Sequence, residues 1–504
     1  MCVLFLKMGN KAQTNSYQHI LKYTSLFGGM QGLNILIGVV RTKLVALILG
    51  TEGMGLVSLF NSTVSFINSG TNLGLPTSSV KTLSEAFEHP DMDVLQRKVK
   101  VIRSLSLFSA LLGMAVCLLL SSLFDMFAFS WGSHRLHYAM LSPLVGMMAL
   151  VGGEMAILKS VRKLKQVALV SLINMIAALF ISVPIYYFMG QRGIIPALTL
   201  MTFMQLMLTL HYSRKIFPLE YSLDRSIFAE GGEMIRLGMA FLVSGLFTTG
   251  ADFVIRSYLS KYATLEVVGL FNAGFMITST YAGMVFTAME TDYFPRLSGV
   301  NHDVEASNLT VNRQIEVTFL LLSPMLALFM VFMPLVLPML YSSSFSPAVI
   351  MAQVVVLSLY FRALKLPVAY LTLAKADSWC FLMLEAYSAI LTVAVVLWGY
   401  HLWGLEGTGW GLLLAEFVDW IVINVFARFR YRYGVTSQVL RYAAIQLPIA
   451  LLTFLSIRFL TGVSYWVVGI LLSGVSLTVT LFVIHKKTSL WNSLVTKIHS
   501  RFNA

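Results

Sequence analysis

"NILIGVVRTKLVALILG", residues 34–50, is apolar from end to end except for Arg41 and Lys43. A run of this length and hydropathy is long enough to cross a bilayer's hydrocarbon core as a helix. A cation placed near the middle of that core costs roughly 2.5–3.5 kcal/mol on insertion scales. Two cations in one span therefore call for an explanation. Either they reach an interface along their flexible stems, or they face a wet cavity in which an anion is handled.

The rest of the chain repeats the pattern. It has 504 residues, 57% of them hydrophobic and 12% charged, against about a quarter charged in an ordinary soluble protein. We expect an all-α polytopic membrane protein of about fourteen spans. They lie near 22–48, 53–75, 103–124, 137–158, 166–188, 193–212, 234–260, 267–291, 314–338, 347–372, 379–400, 407–427, 440–458 and 463–484. Cys2, Cys117 and Cys380 lie too far apart for a metal or redox motif. No metal site is expected. The short opening "MCVLFLK" does not make a signal-peptide core.

The net charge of +13 fits topology better than nucleic acid, because Lys and Arg gather in cytoplasmic loops. With the N-terminus inside, the cytoplasmic segments hold 26 of the 36 Lys and Arg, with Arg103, Arg236 and Arg441 at inner span ends counted among them. The outer loops hold Arg135, Arg192, Lys261 and Arg458. Both termini are thus expected in the cytoplasm, with Trp131, Tyr186, Tyr187, Trp398, Tyr400, Trp403 and Trp466 at the outer interface. Leu490, Leu494, Ile498 and Phe502 have the spacing of a short helix on the inner leaflet. Outer loops are all short, and the inner ones are longest over 76–102, 213–233 and 292–313. That leaves no room for an enzymatic domain on the outer face.

An internal repeat is visible. "YFMGQRGIIPALTL" (187–200) parallels "HLWGLEGTGWGLLL" (401–414), pairing Gly190 with Gly404 and Gly193 with Gly407. At the same offset Lys22 pairs with Arg236, and at an offset three residues shorter "SLFN" (58–61) parallels "GLFN" (269–272). These matches suggest a six-helix half over 1–215, a second over 216–433, and an extra pair with a tail over 434–504. Six is even, so both halves run the same way, and such pairs of bundles rock about a central cavity.

The intramembrane charges fit that frame. Helix 7 carries Asp252 and Arg256, helix 10 carries Arg362 and Lys365, and helix 12 carries Glu416 and Asp419. Spacings of three or four place each pair on one helix face. Asp252 and Arg256 can simply pair with each other. Arg362 and Lys365 have no short route to water, and read as lining a cavity. Glu416 and Asp419, with Glu385 on helix 11, are candidate counter-ions or coupling-ion groups. Glu154 and Glu290 read as boundary residues. A cationic cavity selects an anion, and an Arg fork suits phosphate oxygens. There is no P-loop, HExxH or nucleophile elbow, so neither ATP-driven nor hydrolytic chemistry is expected. "GTGWG" (407–411) and the pair Gly469 and Ser473 read as helix packing.

The stretch "LVALILGTEGMGLVSLFNSTVSFINSGTNLGLPTSSVKTLSEA" (44–86) resembles the first two helices of O-antigen flippases. These are polysaccharide-transport proteins of the multidrug/oligosaccharidyl-lipid/polysaccharide exporter superfamily. The likeness extends through the span count and the two halves. It implies a V-shaped cavity lined with cations, a role taken here by Arg41, Lys43, Arg256, Arg362 and Lys365. It also implies movement of O-antigen repeat units on undecaprenyl pyrophosphate to the outer leaflet of the bacterial inner membrane, with no resident cofactor. Dependence on an H⁺ or Na⁺ gradient follows from it, with O-antigen polymerase and chain-length machinery as partners. A cation-coupled drug exporter of the same superfamily is the alternative, and would favour acidic and aromatic groups over cations.

Overall fold

The computed structural model describes the backbone of residues 2–87, 91–130, 133–222 and 224–487. Side chains are described from residue 32 onward within those ranges, apart from 164, 225, 280–282, 284–285, 287–291 and 487. The expectations for Lys22, Trp131, Glu290 and the tail over 490–502 fall outside the described residues.

Fifteen helices follow in chain order, with no strand among the described residues. They are α1 Cys2–Thr71, α2 Leu75–Phe87, α3 Met92–Leu119, α4 Ser121–Ala128, α5 Arg135–Met140, α6 Ser142–Ser160, α7 Leu164–Met189 and α8 Ile194–Arg214. The remainder are α9 Arg225–Tyr262, α10 Leu265–Gly299, α11 Val304–Leu340, α12 Val349–Ala374, α13 Ser378–Tyr431, α14 Ser437–Phe459 and α15 Gly462–Lys487. Among the described residues ten helical stretches are long and apolar enough to cross a membrane. Three of them are double. α1 breaks at Gly50, α13 at Trp403 and Gly404, and the stretch over α7 and α8 at Gly190. With the shorter apolar helix Leu265–Ser279, each of the fourteen expected spans is helical over most of its length, with short breaks at 72–74, Leu120 and Leu141.

The helices extend beyond the spans. The expected loop over 76–102 is instead α2 and the first part of α3, and the other two long loops are shortened by α9, α10 and α11. Backbone groups at membrane depth must be paired internally, and a helix that continues into the interface keeps those groups paired past the span's end.

The chain divides into two compact units, Met1–Gly269 and Leu270–Ala504. In the first, Leu75, Leu83, Ile102, Leu105, Ile157, Phe217 and Met234 form one buried cluster that joins α2, α3, α6 and α9. In the second, α15 is fastened to α11. Tyr465 donates to the Val331 carbonyl at 2.7 Å and Thr480 to that of Leu320 at 2.8 Å, and Gly469 leaves room for Val331.

Certain backbone details recur along the chain. Gly190 (φ 57°, ψ −138°) and Gly404 (φ 58°, ψ −137°) make the same turn, in a region of φ/ψ open essentially to glycine alone. Asp91 and Asp303 cap α3 and α11 alike, each accepting from the backbone N–H groups two and three residues on. The connector after α8 is pinned by Arg103 of α3, which donates to the Pro218 carbonyl. The connector after α13 is pinned by Asn312 of α11, which donates to the Gly434 carbonyl at 2.8 Å and accepts from Thr436 N–H at 2.9 Å.

Candidate functional site

In the first unit α1 carries Arg41 against α7. Its Nε donates to Ser182 Oγ at 3.1 Å, and its other end reaches Met201 Sδ on α8. Arg41 therefore turns into the seam of α1, α7 and α8. Tyr186, expected at the outer interface, is fully buried on α7, one turn beyond Ser182. Lys43 is half-buried on a different face of α1.

Arg256 of α9 is buried. It donates to Ser58 Oγ at 2.9 Å and to the Asp252 carbonyl at 3.2 Å, and pairs with Asp252 Oδ1 at 2.9 Å. The i,i+4 pairing expected from sequence is present, with an added tie from α9 to α1.

Glu154 corrects the sequence reading. It is a buried group and not a boundary residue, pairing with the equally buried Arg103 at 2.8 Å. Ser213 Oγ accepts from the same guanidinium at 2.9 Å. Arg103 sits at the first residue of an expected span, so position alone made it look like a surface cation. Its partners hold α3, α6 and α8 together, which assigns the pair to structure.

The second unit gathers the densest group of charges. α12 places Lys365 Nζ 2.5 Å from Glu416 Oε2 and 2.7 Å from Asp419 Oδ2. Ser388 also donates to Asp419 Oδ2, at 2.9 Å. Glu385 lies within electrostatic reach of Lys365, Asp419 and Arg362. Arg362, one turn before Lys365, is half-buried, with its guanidinium carbon 5.7 Å from the centre of the Phe286 ring, a cation–π arrangement. Among the described residues it makes no hydrogen bond or ion pair.

The fold of α13 explains how its carboxylates meet. Its halves double back at Gly404, and Gly399, Gly407 and Gly411 let the two backbones touch. A Cβ on Gly407 would fall 1.8 Å from the Gly399 carbonyl oxygen. At the opposite end Asp377 accepts from Arg430 at 3.1 Å and from the Tyr431 hydroxyl at 3.1 Å. Ser388 on one half is thereby held against Asp419 on the other.

Two cations and three carboxylates give this group one formal negative charge in excess. Asp419 Oδ1 is buried without a hydrogen-bond partner among the described residues. Among the described residues, no three acidic, His or Cys side chains lie close enough to hold a metal ion. Of the candidates, Arg362, Lys365, Glu385, Glu416 and Asp419 come together. Arg41, Lys43, Arg256 and Asp252 belong to the other unit and are held there separately. Ser388, Ser182, Ser58 and Phe286 escaped the sequence reading, because a small hydroxyl or an apolar ring in a span gives no signal.

Comparison with known structures places the fold. The chain is similar to the lipid II flippase MurJ in an inward closed conformation, at 13% identity and TM-score 0.67, covering 92% of this chain and 99% of that one. It is similar to an inward-facing multidrug resistance MATE transporter of the MOP superfamily, at 16% identity and TM-score 0.65, covering 79% and 94%. A MOP superfamily transporter from Pyrococcus furiosus matches at 14% identity and TM-score 0.55, covering 79% and 93%. No curated protein matches. The family described as polysaccharide biosynthesis protein matches residues 20–300. This chain, with the fold of the MOP superfamily transporters, belongs to the polysaccharide biosynthesis protein family.

Proposed function

We propose that this protein is a flippase, carrying polyprenyl-pyrophosphate-linked oligosaccharides from the inner to the outer leaflet by alternating access. Its cargo is the O-antigen repeat unit on undecaprenyl pyrophosphate. The observation that carries this reading is Arg362, a guanidinium at membrane depth with an aromatic ring beneath it and no carboxylate on it among the described residues. Holding such a group in a bilayer is costly unless it meets an anion. Membership of a polysaccharide family and a flippase among the similar folds support the same conclusion.

The head group to be moved is a pyrophosphate with several sugars, insoluble in hydrocarbon. Arg362 supplies the planar fork that suits phosphate oxygens. With the cell interior negative, expelling two negative charges gains roughly 4–5 kcal/mol per 100 mV. Lys365 is occupied by Glu416 and Asp419, so we assign it to the coupling group. A proton or Na⁺ taken up there weakens the carboxylates' hold on Lys365 and resets the grip on the anion. The protein lies in the bacterial inner membrane with both ends cytoplasmic. Its moving parts are the two repeat halves, 1–215 and 216–433, with 434–504 attached, and its partners are the O-antigen polymerase and chain-length machinery.

The test is the level of undecaprenyl-linked repeat units on the inner leaflet of cells lacking this protein. We expect accumulation, cleared by the native chain and not by Arg362→Ala at matched expression. Rescue by the variant removes Arg362 from the path. No accumulation, in cells without a second flippase, favours the drug-exporter reading.

A further inference from the structure

One end of the second unit carries a set of arginines that the transport path does not use. The start of α11, the end of α13 and the start of α14 lie at the same end of this antiparallel set. There Arg313, Arg428, Arg432 and Arg441 are all exposed. Among the described residues none of the four side chains makes a hydrogen bond or an ion pair. The acidic residues at this end are otherwise engaged or set apart. Asp377 is held by Arg430, Asp303 caps α11, Glu316 is buried, and exposed Glu305 lies two turns before Arg313.

The backbone presenting these cations is fixed. The connector 432–436 is bonded to Asn312 through Gly434 and Thr436. Asn308 donates to the Arg432 carbonyl at 3.0 Å. Arg432 itself is left-handed, with φ 55°, at a helix end where glycine is the usual residue. An arginine kept there at a conformational cost points to a use for its charge. Apolar side chains stand beside the cations: Phe429 is 83% exposed next to Arg428, and Leu440 is 55% exposed next to Arg441. A ring and an aliphatic chain flanked by arginines suit the depth at which acyl chains give way to phosphates.

We propose that this rim is a binding surface for the headgroups of anionic phospholipids in the leaflet it faces. The arginines hold lipid phosphates, and Phe429 and Leu440 enter the acyl boundary below. Basic residues just outside membrane helices attract anionic lipid in this way, and the attraction weakens with salt. The four side chains spread over three elements, which fits several exchanging lipids better than one tightly held ligand.

The test uses the full chain in nanodiscs of phosphatidylcholine with increasing phosphatidylglycerol. The native protein's melting temperature is expected to rise with phosphatidylglycerol, and the rise to shrink in high salt. A variant with Arg313, Arg428, Arg432 and Arg441 all changed to Gln keeps its melting temperature in phosphatidylcholine but loses most of that rise. Arg135→Gln, a charge at the start of α5 in the first unit, retains it. Native mass spectrometry gives a readout independent of folding, with fewer phosphatidylglycerol molecules kept on the fourfold variant. An undiminished rise and lipid count in that variant overturns the proposal. So does a native protein indifferent to phosphatidylglycerol but stabilised, through the same four arginines, by undecaprenyl pyrophosphate, which makes the rim a loading site for cargo.

Discussion

Lys365 Nζ lies 2.7 Å from Asp419 Oδ2, joining α12 to the second half of α13 at membrane depth. Both side chains are nearly sealed, and Glu416, one turn before Asp419, adds a second carboxylate to the same ammonium at 2.5 Å. The bond places the coupling group one helical turn from Arg362. A change of charge at Asp419 or Glu416 is therefore felt at Arg362, which makes no ion pair among the described residues.

Removing the ammonium leaves two buried carboxylates facing each other. Lys365→Met is expected to destabilise the folded protein by about 3–5 kcal/mol, the usual cost of breaking a buried pair from one side. The combined change of Lys365→Met, Glu416→Gln and Asp419→Asn recovers much of that loss. Thermal unfolding of detergent-solubilised protein measures both. Recovery of stability without recovery of transport separates the group's structural part from its coupling part.

The two glycine turns make a matched pair of predictions. Gly190→Ala and Gly404→Ala each force a Cβ into the same unfavourable region of φ/ψ. Each is expected to cost about 1–3 kcal/mol, by the same amount within error. Gly407→Ala adds a backbone clash with Gly399, and is expected to abolish expression of folded protein. Fluorescence-detected size-exclusion profiles rank the three.

Asp377 gives a pH dependence outside the membrane. Burial pushes its carboxyl up, but hydrogen bonds from Cys380, Tyr431 and Arg430 outweigh this and hold it below the ordinary value. A depressed carboxylate contributes stability that is fully present above its unfolded pKa, near 3.9. That stability is lost as pH falls through the lower folded value. The native protein should therefore lose stability below about pH 4, and Asp377→Asn should flatten that part of the acid limb. An unchanged acid limb in the variant contradicts the assignment.

Much of this architecture is legible in the sequence, because a membrane span announces itself by length and hydropathy. Fourteen spans, the Gly190 and Gly404 pairing and the Asp252–Arg256 pair are all visible before any coordinates. Helix ends are not, because hydropathy marks where the bilayer stops rather than where the backbone stops being helical; α2 shows this. Arg103 and Glu154 were hidden for a related reason. Both sit at span edges, and only tertiary packing shows that the first is 2% exposed and the second 3%. For Lys365 the candidate counter-ions Glu416 and Asp419 are legible from spacing, but that both reach the same ammonium depends on how α13 packs against α12.

Arg362→Ala tests the anion path at its centre. A hydrogen bond to a charged partner is worth about 1.5–3 kcal/mol, so the variant should transport about tenfold more slowly or worse. Its melting temperature should stay near that of the native chain, since among the described residues no ion pair is lost.

The most direct measurement is translocation in proteoliposomes that hold the purified protein and a fluorescent undecaprenyl-pyrophosphate oligosaccharide. A membrane-impermeant quencher follows the labelled head group as it crosses. Native protein is expected to speed crossing over protein-free vesicles, and Arg362→Ala to remove most of that gain. Native protein that leaves the glycolipid where it began, while moving a cationic dye across the same membrane, contradicts the account.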